Sequence, residues 1–194
     1  MALPVFAWGQ YQGVLKQALA LLKYGNQNEL GFWLGCQLGE HWLQNGYHNM
    51  ISQQPVVIPI PLHTQKLQQR GYNQAALIAQ GFCRITGLPL LENGLTRIRA
   101  TSAMHSLNAQ ERNINLAKAF QLGTRLPSVR SPILIIDDIY TTGSTAHAAT
   151  IPLTREGYNI IGITTVARAV FTHQSAKSNI SCHAHKTRHS HPNL

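Results

Sequence analysis

The sequence predicts an α/β protein: a parallel sheet flanked by helices on both faces. Three observations lead there. Short runs rich in β-branched residues, PVVIPIP (55–61), SPILIID (131–137) and NIIGITTVA (159–167), read as buried strands. The stretches between them carry apolar residues at helical spacing. Strands that alternate with helices need crossover connections, and these cover both faces of a parallel sheet. The 194 residues, 44% of them hydrophobic, suit one such domain and exclude wholesale disorder.

Each element has its own justification. Residues 10–23 place Val14, Leu15, Ala18, Leu19 and Leu22 on one helical face, and Gly25 stops the pattern. Leu30, Leu34, Leu38 and Trp42 give a second helix over 28–44. After strand 55–61, the polar stretch LHTQKLQQRGY (62–72) reads as a loop. Asn73 then caps a helix that ends at Gly87. Short strands are expected near 88–91, over 95–99 and in AFQL (119–122). Asn108 and Glu111 form a capping box for a helix reaching about 118. Strand 131–137 feeds a Thr/Gly/Ser-rich turn and a helix from Ser144, in which Pro152 is an interruption. The domain is expected over 1–170. Residues 171–194 hold five of the ten histidines and little apolar periodicity, so they read as a disordered, His-rich tail. His183, His185, His189 and His191 with Cys182 make a chelating composition but not a fixed ligand geometry.

Composition narrows the function classes. No apolar run approaches the ~18–20 residues of a membrane span, and MALPVFAWGQ lacks the basic start of a secretory signal. Cys36, Cys83 and Cys182 are odd in number and widely spaced, which fits neither a disulfide framework nor a zinc ribbon. A cytoplasmic location is expected. The formal charge of +9 favours polyanions, with the basic residues scattered rather than in runs.

The acidic side is more informative. The whole chain has two aspartates, Asp137 and Asp138, and they are adjacent. They lie at the end of a strand and just before Thr141, Thr142, Gly143, Ser144 and Thr145. That order builds an anion site. Glycine allows the turn, the first helical N–H groups lack internal partners, and the helix dipole favours negative charge. The four hydroxyls add donors. Carboxylates beside such a loop can take sugar hydroxyls or hold Mg²⁺ through water. A phosphate on one side and diol-binding carboxylates on the other describe a sugar phosphate. An ordinary βα turn would need one capping residue rather than this whole set. No G-x-x-x-x-G-K-[ST] occurs, which argues against a P-loop NTPase, and no third Asp serves a receiver domain.

Residues 133–149, ILIIDDIYTTGSTAHAA, resemble the 5-phosphoribosyl-1-pyrophosphate (PRPP) signature of type I phosphoribosyltransferases. Over about residues 10–168 the chain is similar to the ComF family within that fold. Further marks are ALLKYG (20–25), VVIPIPLHTQKLQQRGYNQAALIA (56–79) and LTRIRATSAMHSLNAQERNINLAKAF (95–120). The resemblance implies a type I phosphoribosyltransferase-like sheet with a small hood formed by the N-terminal helices (10–44). It implies PRPP and Mg²⁺ as ligands, with Asp137 and Asp138 near the metal, and a role in DNA uptake during competence. Single-stranded DNA or a helicase-like protein would be the partner. The loop after strand 56–60 would take pyrophosphate, with Lys66 and Arg70 as its cations; solvated loop charges are the plain alternative. Residues 97–112 would form a flexible loop, with Arg97, Arg99 and Arg112 reaching the pyrophosphate; a surface hairpin is the alternative. Where the family pattern places a Gln after Thr101, this chain has Met104, next to His105. Two readings follow: a non-catalytic PRPP-binding module, or an active phosphoribosyltransferase (a glycosyltransferase) acting on an unknown nitrogen acceptor. In either, neutralising Asp137 or Asp138 is expected to cost binding and to leave folding nearly untouched.

Overall fold

The computed structural model describes residues 3–45, 48–99, 118–124 and 126–170. Four parallel strands form the main sheet: β1 (Val5–Gln10), β2 (Val56–Pro59), β5 (Ile133–Tyr140) and β6 (Ile160–Arg168), in the order β1-β6-β5-β2. Helices α1 (Gly13–Tyr24), α2 (Asn28–Gln44) and the single turn α3 (His48–Ile51) connect β1 to β2. Helices α4 (Thr64–Arg70) and α5 (Gln74–Thr86) follow β2, and α6 (Ser144–Arg155) links β5 to β6. A separate antiparallel pair joins β3 (Leu95–Arg97) to β4 (Phe120–Leu122). The α/β class, the parallel sheet and the flanking helices are as the sequence predicts, an arrangement consistent with the type I phosphoribosyltransferase-like fold.

Alternation along the buried strands makes two cores, one on each face. Leu134 and Ile136 of β5 face Leu19 and Leu22 of α1, Leu34, Leu38 and Trp42 of α2, and Ile78 and Phe82 of α5. Ile133 and Ile135 face Ala146, Ala149 and Leu153 of α6, together with Leu95 and Phe120 of the small sheet. The N-terminal helices expected as a hood therefore belong to one face of the main core. They share it with α5.

Several details differ from the expectation. The chain opens with an edge strand, β1, which the sequence did not suggest; it pairs in parallel with β6, Val5 opposite Ile163. The polar loop expected over 62–72 contains a two-turn helix, α4. His63 Nδ1 accepts from Gln65 N at its start, and Gly71, at φ 81°, ends it. The strand expected near 88–91 is reduced to a single bridge, Leu90 opposite Val57. Helix α6 passes through Pro152 and continues to Arg155. Strand β5 does not stop at Asp137 but pairs with β6 as far as Tyr140 opposite Arg168. The helix expected over 108–118 and the tail 171–194 lie outside the described residues, as do Arg112, Met104 and the tail histidines. Among the described residues, no helix is long and apolar enough to cross a membrane.

Candidate functional site

Because β5 persists through both aspartates, their side chains leave opposite faces of the sheet. Asp137 shares the α6 face with Ile133 and Ile135. Asp138 shares the other face with Leu134 and Ile136.

On the α6 face, β5 runs directly into the hydroxyl-rich turn. Gly143, the N-cap, sits at φ 77° and has no side chain to cap α6; Thr142 Oγ1 accepts from Ser144 N at 3.4 Å. The next N–H groups of the first turn, from Thr145 on, have no intrahelical partner, as at any helix start. Asp137, Thr141, Gly143 and Thr145 line a small hollow of about 20 Å³ there. Thr142 Oγ1 and Ser144 Oγ lie 2.7 Å apart and satisfy each other, so one hydroxyl hydrogen of that pair remains for an external acceptor. The Asp137 carboxyl is half-buried, and its Oδ1 accepts from Asp138 N at 2.9 Å. Burial, and then the adjacent Asp138 charge, hold its pKa well above the usual carboxylate value. Arg97 of β3 is in electrostatic range of Asp137: burial lowers the Arg97 pKa, and the Asp137 charge works against that. The Arg97 guanidinium also lies over the Phe120 ring, 5.2 Å from its centroid, and its Nε donates to Arg99 O at 3.4 Å.

On the other face, Asp138 is only 5% exposed. Lys23 Nζ, from the last turn of α1, lies 2.6 Å from its Oδ2. Gln74 Nε2 approaches the same oxygen at 3.4 Å, and Ile139 N donates to Oδ1 at 2.8 Å. Arg70 Nη1 donates in turn to Gln74 Oε1 and lies over the Tyr24 ring, 5.7 Å from its centroid. The Tyr72 hydroxyl donates to Leu22 O, which ties the α4–α5 turn to the end of α1. Outside this network is a cavity of about 530 Å³, with Lys23, Tyr24 and Asn26 on one wall and Lys66, Gln69 and Arg70 on the other. Burial, and then the charges of Arg97, Arg70 and Lys23, lower the Lys66 pKa.

The structure thus brings Lys66 and Arg70 together at one cavity, and Asp137 together with Thr141, Gly143 and Thr145 at the other site. It separates the two carboxylates. Lys23, Gln74 and Tyr24 are the residues that sequence reasoning missed. Lys23 carried a signal: it lies four residues after the buried Leu19, hence on the core-facing side of α1. Among the described residues, no group of three or more His, Cys, Asp or Glu side chains could hold a metal ion.

No family model matches the chain. It is 35% identical over 116 residues to Competence protein F of Haemophilus influenzae, covering 58% of this chain and 50% of that protein. It is 32% identical over 149 residues to DNA utilization protein YhgH of Salmonella typhi, covering 77% of this chain and 65% of that protein. Against Competence protein ComFC of Bacillus subtilis it is 33% identical over 103 residues, covering 53% of this chain and 39% of that protein. The chain thus spans between two fifths and two thirds of these relatives' length.

Proposed function

The chain belongs to the ComF family, and on that premise we propose that it is a phosphoribosyltransferase-fold protein that binds PRPP, or a ribose phosphate, with Mg²⁺ in the service of DNA uptake. The DNA-uptake link rests on relatives named Competence protein F, ComFC and DNA utilization protein YhgH. The ligand reading rests on one observation. Asp137 lines the hollow at the Thr141–Thr145 turn, while Asp138, on the other face, holds Lys23, which lines the Lys23/Lys66/Arg70 cavity.

A sugar with anionic groups at both ends suits that division. The hollow at the turn has room for about one water, so a phosphate would seat on its mouth, against the α6 N–H groups. The cavity has room for a diphosphate among three cations. The ribose hydroxyls would then lie across the end of β5, within reach of Asp137.

The residues fit Mg²⁺ only in one way. Asp138 Oδ2 is already held by Lys23, and no all-protein cluster exists among the described residues, so the ion would take Asp137 plus oxygens of the ligand and water. Bound there, Mg²⁺ would neutralise charge on the diphosphate. Lys66 and Arg70 would orient that group, and the turn would fix the opposite phosphate.

The cations of the cavity also favour a second reading, active phosphoribosyl transfer to a nitrogen acceptor. Negative charge grows on departing pyrophosphate, and Lys66 and Arg70 would meet it there. Single-stranded DNA or a helicase-like protein, suited to the +9 charge, would be the macromolecular partner. Calorimetric titration with PRPP and Mg²⁺ tests binding. Pyrophosphate release on adding a panel of bases, amines and ammonia then separates the module from the enzyme. Absence of PRPP binding by the folded protein would sink both readings.

A further inference from the structure

The Lys23–Asp138 contact joins the two halves of the site just described. Lys23 reaches Asp138 from α1, and it lines the cavity that Lys66 and Arg70 also line. Its side chain is 20% exposed, against 7% for Asp138. The lysine therefore stands at a boundary, with a buried carboxylate behind it and an open cationic space before it.

We propose that Lys23 is a positioning residue that exchanges one anion for another: filling the cavity with a diphosphate group draws its ammonium off Asp138 and frees that carboxylate for the sugar of the ligand. This inference rests on the proposed PRPP-type ligand.

Four observations support it. Lysine is a point charge on a flexible stem, so it can change partners without the fixed fork geometry that arginine would impose. The cavity gathers Lys23, Lys66 and Arg70 with no carboxylate among the described residues of its walls, so an arriving anion meets cations that repel one another. Burial first, and then the charges of Arg97, Arg70 and Lys23, lower the Lys66 pKa, so these cations do act on one another. Lastly, Asp138 would not be stranded when the lysine leaves. Gln74 and Ile139 N still face its two oxygens, and Arg70, which holds Gln74 in place, lines the same cavity. A buried carboxylate relieved of its cation seeks another donor, and a ribose hydroxyl supplies it.

The consequence is a positive coupling between two ligand fragments. Like-charged fragments bound side by side should weaken each other by direct repulsion. The exchange predicts the reverse. Inorganic diphosphate at saturation should tighten ribose 5-phosphate binding at least about fivefold, the lower end of ordinary coupling between sites. The test is calorimetric titration of ribose 5-phosphate into the full chain, with and without diphosphate, in buffer free of divalent cations. Lys23→Met alone leaves a buried carboxylate unpaired and risks misfolding, so the decisive variant is Lys23→Met combined with Asp138→Asn, which removes both charges. That variant should stay folded, still bind each fragment, and show no tightening. Lys23→Arg should retain the ion pair but lose most of the coupling. Wild-type protein that binds both fragments independently, or equal coupling in the double variant, overturns the exchange and leaves the ligand reading standing. Wild-type protein that binds neither fragment overturns the ligand reading, and the exchange with it.

Discussion

The Tyr140 hydroxyl lies where a side chain at position 143 would begin: a Cβ built on Gly143 would sit 2.2 Å from Tyr140 Oη and 2.6 Å from Cζ. The same glycine has φ 77°, a conformation that L side chains rarely adopt. Gly143→Ala therefore meets both a steric and a conformational barrier. It should lower stability by about 1–3 kcal/mol, as for other strained backbone positions. Either the Tyr140 ring or the turn would have to shift, and the left-handed position 143 would be strained in both cases, so ribose 5-phosphate affinity should fall more than about tenfold while PRPP loses a similar factor. Isothermal titration with both ligands checks this, and unchanged binding would remove the turn from the phosphate site.

Arg70 tests the opposite end of the ligand. It is anchored by Gln74 and by the Tyr24 ring, which aims its guanidinium along the cavity wall. Arg70→Ala should weaken PRPP binding about tenfold or more, since a charge-assisted hydrogen bond contributes about 1.5–3 kcal/mol. Ribose 5-phosphate, which has no diphosphate, should bind within about twofold of wild type. Equal losses for the two ligands would move Arg70 out of the diphosphate role.

What was legible in the sequence follows the range of the interactions that fix each element. Helices α1, α2 and α5 and strands β5 and β6 announce themselves because burial imposes local periodicity. Strand β1 does not, because its pairing partner β6 lies over 150 positions further along the chain. Helix α4 escaped because it buries no residue, so no apolar stripe marks it, and only His63 and Gly71 at its ends betray it. The Asp pair and its turn were legible as chemistry. Strand alternation alone predicts that they divide between two faces if the strand persists, and β5 does persist to Tyr140, a length set by pairing with Thr165, Ala167 and Arg168. Lys23 could be placed on a core-facing stripe, but its partner is fixed by tertiary packing alone.

Helices α2 and α5 cross at glycines. A Cβ on Gly81 would lie 2.0 Å from Phe32 O and 2.8 Å from Cys36 N, and one on Gly35 would lie 2.0 Å from Ile78 O. These obstacles are backbone and cannot swing aside. Gly35→Ala and Gly81→Ala should each cost about 3 kcal/mol, the upper part of the overpacking range. At this chain length that is a fall in Tm of roughly 6–12 °C. Once one alanine has forced the helices apart, the second meets less resistance, so the double variant should lose less than the sum. Thermal unfolding of the three variants decides it, and strict additivity would mean the two contacts are independent.

Asp138 corrects the expectation that either aspartate can be neutralised without affecting the fold. Asp138→Asn leaves Lys23 with no counter-charge at 2.6 Å, and breaking one side of a buried pair costs about 3–5 kcal/mol. The partial exposure of Lys23 places this change at the low end, about 3 kcal/mol. Adding Lys23→Met should recover most of that loss. Chemical denaturation of the single and double variants measures both effects, and a single variant as stable as wild type would show that the pair contributes little.

Asp137 should behave in the opposite sense, and pH exposes the difference. An unfolded aspartate titrates near pH ~3.9. In the folded protein, burial and then the Asp138 charge raise the Asp137 pKa well above that. Between those two values the native state holds a proton that the unfolded chain has lost, so stability falls as pH rises through this window. Below the unfolded value both states are protonated and the penalty vanishes. Asp137→Asn removes the titration, so it should be more stable than wild type at pH 7, with an advantage that shrinks towards pH 4. Urea midpoints across pH 4–8 measure that gap. The same substitution deletes the carboxylate proposed to face the ribose and the metal. It should therefore weaken Mg²⁺-dependent PRPP binding by roughly ten- to a hundredfold, the loss of one hydrogen bond to a charged acceptor. A gain in stability with a loss of binding marks a group held at a cost to the fold for the sake of its ligand. A variant that is no more stable at pH 7 and binds as wild type would reduce Asp137 to a residue of the strand end.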